Sequence, residues 1–232
     1  LVCNLGLNRA TYSFCMCPGG EVTQCTSEEG ACVVNGMSNE ARDSGFANSG
    51  LVAKVNTSDF GSEHLLGGMY FQRFWEHKAF QSAQETYGAP AMSVQDFMSR
   101  KPSGKLPASS FQPFTVPADI TQCLPPFVED QIRQSLPTFD KKIHGYTSSQ
   151  AILIALESRT SSPIQLLRDA QGQSISHPHL YPCGEGAGFA GGITSAAVDG
   201  IRVAEWIAQS FGADPFMPFE KQVNPKELVN EY

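Results

Sequence analysis

Residues 10 to 35 alternate short β-prone runs with glycine turns: ATYSFCMC, then PGG, EVTQC, SEEG and ACVVN. Runs of this length, bounded by turn residues, predict the strands of a small antiparallel sheet. SGLVAKVN, residues 49–56, predicts a further strand. From about Leu66 to Thr86 the period changes. Met69, Phe71, Phe74, Trp75 and Phe80 recur at helical spacing, which predicts a long amphipathic helix. Its stripe of Phe71, Phe74 and Trp75 is read as core packing. Ser93 is placed to cap a short helix over 93–100, with Asp96 three residues on. Residues 102–117, rich in proline and serine, predict an irregular loop. Pro126 to Leu136 predicts a helix that Pro137 interrupts or ends. AILIA, residues 151–155, predicts a buried strand that continues to Arg159, with 163–167 beside it. Gln171-Gly172 is a turn, Leu180 to Cys183 a short strand, and Ile193 to Ser210 a helix. The mixture is that of a mixed α/β (α+β) protein: a mixed β-sheet with helices.

Charged residues are 17% of the chain and apolar residues 41%, which fits a globular protein. The net charge is −7 and basic residues do not cluster, which argues against nucleic acid as a partner. No apolar run approaches the ~20 residues that would span a bilayer, so no membrane partner is expected. The chain opens on LVCNLGLN without a methionine or a signal peptide, and is read as a fragment or a processed chain. Seven cysteines at irregular spacing are read as reduced thiols of a cytoplasmic or plastid-stroma protein. Cys15, Cys17, Cys25 and Cys32 do not have a standard zinc spacing, and no metal site is expected. Buried, inert thiols are the expectation, with a redox pair at Cys15 and Cys17 as the alternative. His177 and His179 are read as surface residues.

The densest chemical signal is YPCGEGAGFAGGITSAAVDG, residues 181–200. Gly186-Ala-Gly188-Phe-Ala-Gly191 spells G-x-G-x-x-G, the dinucleotide fingerprint. That fingerprint needs a strand before it, a helix after it and a second strand carrying an acid. The sequence around Asp214 reads as no strand, so the context fails. A second reading keeps the physics: a strand ends at Gly184-Glu185, and a glycine loop then presents backbone N–H groups to an anion. The start of the helix near Gly191, Gly192 and Ile193 adds its positive dipole end. Glu185 is placed to accept hydrogen bonds from a sugar-like hydroxyl. Elsewhere, Glu157 and Arg159 share one face of the expected strand, followed by the polar turn Thr160-Ser161-Ser162-Pro163. A salt-bridged strand end is one reading of the pair. The other is a substrate clamp in which Arg159 offers a planar fork to an anion.

The 181–207 segment, with SFCMCPGGEV, NGMSNEARDSGFANSGLV, FQRFWEHKAF and ALESRTSSPIQLLRD, resembles an uncharacterised group of FAD-dependent dehydrogenases within the glutathione-reductase-like flavoproteins. The resemblance implies an interposed substrate domain over 1–174 and the last strand–loop–helix of a Rossmann-type FAD-binding domain over 175–232. It implies that the N-terminal Rossmann unit is missing. It also implies FAD as cofactor, held by Gly184, Glu185, Gly186, Gly191, Gly192 and Ile193. In this superfamily the first two of these positions contact the ribityl chain and pyrophosphate, and the helix start faces the pyrimidine edge of the flavin. A small-molecule substrate held by Glu157, Arg159, Ser161 and Ser162 follows, with NAD(P)H as a candidate electron donor. No catalytic residue is assigned. A non-catalytic phosphate- or nucleotide-binding module, or a truncated chain without a competent site, stands as the alternative.

Overall fold

The computed structural model describes residues 1–4, 9–102 and 104–213. The chain divides into two compact units, Leu1–Arg159 and Thr160–Tyr232.

The first unit carries eight described strands and three α-helices. β2 (Ala10–Cys17) lies between β1 (Val2–Asn4) and β5 (Asn48–Ala53), both antiparallel to it. A register shift between Phe14 and Cys17 breaks the β2–β5 ladder, and Cys15 takes a left-handed φ of 44° there. β3 (Gly20–Gln24) and β4 (Val34–Ser38) form a separate antiparallel pair. The glycine-punctuated strands expected over 10–35 are therefore present, divided between two sheets. β6 (Ala89–Ser93) is buried throughout and takes β7 (Thr115–Pro117) parallel on one side and β8 (Ile152–Ile154) antiparallel on the other.

The helices follow the expected periods. α1 spans Gly67–Ser82, with Trp75 and Phe80 packed on the core. Phe74 departs from the core reading: it is exposed and touches Trp75 edge-on at 5.1 Å. α2 (Val94–Ser99) starts on Ser93, whose Oγ accepts from the Asp96 N–H at 3.1 Å and donates to its carboxylate at 2.7 Å. α3 runs Pro126–Lys142 and passes through Pro137. The inward stripe explains this. Val128, Ile132 and Leu136 continue to Phe139, and the last two are completely buried. Burying a side chain of that size contributes about 1.5–3 kcal/mol, which offsets much of the roughly 3 kcal/mol a helical proline costs.

The cysteines divide by burial. None of the seven is in a disulfide; Cys3, Cys32 and Cys123 are buried and Cys15, Cys25 and Cys183 exposed. Desolvation pushes the thiol of Cys32 up to about 11 and that of Cys123 up to about 12. Native alkylation at pH 8 is expected to label Cys15, Cys25 and Cys183 and to spare Cys32 and Cys123, because the thiolate is the nucleophile. Peptide mapping after a timed iodoacetamide pulse reads this directly. Rapid labelling of Cys32 would refute its burial.

The second unit is loop-rich over 160–192 and continues into α4 (Ile193–Ser210), with the bounds expected from the sequence. The expected strands over 163–167 and 180–183 are absent. The Arg168–Ser174 bridge and the Ser174 N–H to Leu180 carbonyl bond (2.7 Å) replace them. Side-chain and turn contacts satisfy the backbone here, so no ladder is needed. His177 and His179 are exposed. The segment from Asp214 onward, part of the stretch read as lacking a second strand, lies outside the described residues.

Candidate functional site

The last residues of the first unit leave β8 and turn between three elements. The strand expected to reach Arg159 stops at Ile154. Beyond it, the Leu156 carbonyl accepts from the Val34 N–H at 2.9 Å, and the Ser158 carbonyl accepts from the Gln72 side chain at 2.9 Å. These tertiary bonds outcompete continuation of the strand. Glu157 and Arg159 therefore do not pair.

Arg159 turns instead to α1. Its Nε and Nη2 donate to the two oxygens of Glu76 at 3.0 and 2.8 Å, and its Nη1 donates to Ser27 Oγ at 2.6 Å. Ser158 Oγ adds a third bond to Glu76 at 2.5 Å. Glu76 is 1% exposed and Arg159 36%. Burial alone would raise the Glu76 carboxyl, but the Arg159 and Ser158 hydrogen bonds prevail and hold it below the usual range. The Arg159 fork is thus committed within the protein. The salt-bridged strand end read for Glu157 and Arg159 is therefore not formed, and Arg159 pairs with Glu76 on α1 instead. Glu76 was not singled out in the sequence. Its signal is there: Gln72 and Glu76, four apart, set a polar line into the inward face of an otherwise aromatic helix.

Glu157 points the other way, onto β5. A Cβ at Gly50 would stand 2.7 Å from Phe14 Cε1 and 2.9 Å from Glu157 Oε2, so only glycine leaves room for both. Burial pushes the Glu157 carboxyl above the usual range, and no hydrogen bond or charge among the described residues offsets it.

Ser161 and Ser162 belong to the second unit. Ser162 Oγ closes a local turn by donating to the Ile164 carbonyl at 2.8 Å. Ser161 Oγ stands 3.7 Å from where a Cβ of Gly191 would lie.

The glycine segment of this unit is held by an ion pair that was also not singled out. Arg168 donates to both oxygens of Asp199 on α4, at 3.0 and 2.6 Å, and to the Pro182 carbonyl at 2.8 Å. Its guanidinium stacks between Phe189, at 3.6 Å, and Trp206, at 5.3 Å. Asp199 Oδ2 also accepts from the Gly184 N–H at 2.9 Å. The Arg168 hydrogen bonds, helped by that N–H, hold the Asp199 carboxyl below its ordinary value. The loop is then pleated by bonds from Gly188 N–H to the Glu185 carbonyl (2.9 Å) and from Phe189 N–H to the Gly184 carbonyl (3.0 Å).

The glycines divide by what they meet. Gly188 has φ of 82°, and a Cβ there would lie 2.4 Å from the Ile164 carbonyl oxygen, so the protein itself requires glycine. Gly186 and Gly192 meet nothing within 4 Å, and neither carries a left-handed φ. The packing gives no reason for glycine at these two positions. α4 begins at Gly192 without a side-chain cap. Its first N–H groups and the dipole end are therefore open to a negative group. The Gly191 N–H is taken by Ser195 Oγ at 3.3 Å. The half-buried Glu185 carboxylate has no partner among the described residues.

A cavity of about 510 Å³ lies elsewhere, between Ser93, Asp96, Lys105 and Gln150 of the first unit, and includes none of these residues. Among the described residues, no group of three metal-ligating side chains is assembled, and no helix is long and apolar enough to cross a membrane.

Fold and site thus describe a mixed α/β protein with a glycine-rich loop that leads into an uncapped helix, α4. Residues 1–160 match the family described as "FAD-dependent protein, C-terminal domain-like", and the chain belongs to that family. The matched residues coincide with the first compact unit. The chain is also 49% identical over 208 residues to an uncharacterized protein of Clostridium beijerinckii, an alignment covering 88% of this chain and 39% of that protein. The chain therefore spans well under half the length of this relative.

Proposed function

We propose that this chain is the substrate-side and C-terminal portion of an FAD-dependent oxidoreductase, a dehydrogenase acting on a small molecule. The family membership supports the flavin. The glycine segment lies beyond the matched residues and rests on its own geometry. The observation that carries it is the pair of unobstructed glycines, Gly186 and Gly192, beside an uncapped helix start.

In this reading the residues present fit the dinucleotide. Gly184, Gly186 and Gly191 would let its pyrophosphate approach the backbone. Glu185 would accept hydrogen bonds from its ribityl hydroxyls. The Gly192 and Ile193 amides would face the flavin. When bound, FAD would supply hydride chemistry, with NAD(P)H as the proposed reductant. The protein's part is orientation and electrostatics. The N-terminal end of α4 favours negative charge placed there, and Arg168 with Asp199 keeps the loop in register with that helix. Glu157 would stand on the substrate side.

The test compares this chain with its open reading frame extended upstream, by visible absorbance and by release of bound flavin. The extended protein is expected to be yellow. A Cβ at Gly192 meets no protein atom within 4 Å, so Gly192→Ala is expected to lower flavin occupancy about tenfold or more while leaving the melting temperature unchanged. Glu185→Ala is expected to weaken flavin by roughly tenfold. A colourless extended protein that takes up no added FAD would overturn the reading in favour of another phosphate ligand.

A further inference from the structure

We propose that Glu157, set over Gly50 beside Phe14, is the recognition group for an organic ammonium on the substrate. The inference rests on the reading of the first unit as the substrate side.

Three observations carry it. First, the group is fixed. Its neighbours on both sides are tied down, Leu156 to Val34, Ser158 to Gln72 and Glu76, and Arg159 to Glu76. Second, the group is unanswered. A half-buried carboxylate accepts hydrogen bonds and offers none, and Glu157 has no donor or cation among the described residues. The guanidinium two residues along, which could have answered it, is spent on Glu76. A desolvated carboxylate is costly unless a cation or donor meets it. Third, the surroundings choose the kind of cation. The described residues assemble no set of metal ligands, so a lone carboxylate cannot hold a divalent ion. The carboxylate instead shares its place with the half-buried Phe14 ring, both within 3 Å of the point where a Gly50 side chain would begin. Carboxylate plus aromatic ring suits an ammonium that carries its own hydrocarbon. The formal net charge of −7 draws such a cation toward the protein. Gly50 sets the geometry, because any side chain there would displace the Phe14 ring and the Glu157 carboxylate from each other's side.

The probe is benzylammonium, with benzyl alcohol and benzoate as neutral and anionic controls of similar shape. Each is titrated into the isotopically labelled chain while the Gly50 amide and Phe14 ring resonances are followed. Benzylammonium is expected to shift both saturably and to bind about tenfold or more tighter than the alcohol, as charge-assisted hydrogen bonds require. Benzoate is expected to leave both unmoved. Glu157→Gln keeps the shape and removes a desolvated charge, so it should fold with an equal or higher melting temperature at neutral pH. It should also lose the preference for the ammonium. Equal response to the alcohol, or an unchanged preference in Glu157→Gln, would overturn the proposal. The two readings fail separately. A yellow extended protein without ammonium selectivity removes this site and leaves the flavin. A colourless one that still selects the ammonium removes the flavin and leaves this site.

Discussion

Arg159→Ala is expected to destabilise the first unit by about 3 kcal/mol, more than Glu76→Ala does. The order follows from which member is buried. Losing one partner of a buried ion pair costs roughly 3–5 kcal/mol, because an uncompensated charge stays behind. Here the charge left behind by Arg159→Ala is Glu76, at 1% exposure, with the Ser158 hydroxyl and the more distant charge of Arg73 to answer it. Water already attenuates the exposed side of Arg159, so the lower end of that range applies. Glu76→Ala leaves a guanidinium that keeps Ser27 and solvent, with Glu28 at 3.9 Å. Acid separates the two states further. In the intact protein the Glu76 carboxyl is held below its ordinary value. Its contribution is complete above the ordinary carboxylate range of ~4.3 and is lost as pH falls through the depressed value. Without Arg159, burial dominates and raises the carboxyl, so the variant should gain relative stability as pH falls. Urea denaturation, with hydrogen exchange of the α1 amides to localise it, measures both. Equal costs for the two substitutions, or a cost below ~1 kcal/mol for Arg159→Ala, would reduce the pair to a surface contact.

Arg168→Ala is expected to dismantle the second unit while leaving the first folded. Both members of its pair are almost fully buried, at 9% and 6% exposure. The substitution leaves Asp199 unpaired and removes the guanidinium between Phe189 and Trp206. A cost of about 3–5 kcal/mol is large against what this unit can hold. Among its described residues, Pro182, Ala187 and Val203 are the buried apolar side chains, so the polar anchor does what a core would do elsewhere. The Trp206 emission in a Trp75→Phe background should shift to the red, and the amides of the glycine loop should lose protection from exchange. Arg168→Lys should not rescue, because an ammonium cannot make the fork to Asp199 and stack between two rings. Retained Trp206 burial in Arg168→Ala would show that the loop stands without its anchor.

Elements whose cause is local were legible in the chain. α4 reads from its unbroken helical period, β2 from ATYSFCMC, and the start of α2 from the Ser93–Asp96 spacing. Elements decided by distant groups were not. Pro137 marks a helix end locally, yet the burial of Leu136 and Phe139 carries α3 through it. AILIA promises a long strand, but Val34, Gln72 and Glu76, remote in sequence, claim the residues that follow. The candidate site divides the same way. Its glycines announce themselves by type and spacing. Arg168 and Asp199, 31 positions apart, do not, since a charge inside a helix reads first as a solvated face. Glu157 and Arg159 were read as one pair, a salt-bridged strand end or a substrate clamp, because alternation puts them on one side of a strand. The fold sends one to Gly50 and the other to α1.

Arg159 is also the last residue of the first unit, so the bond to Thr160 is where a trypsin-like protease would be expected to cut between the units. Such a protease must take the arginine into an acidic specificity pocket. Glu76 and Ser27 already hold that guanidinium, and Ser158 is held on its other side. The peptide bond is thus shielded by the occupation of its side chain, and its cleavage would report release of the grip on Arg159.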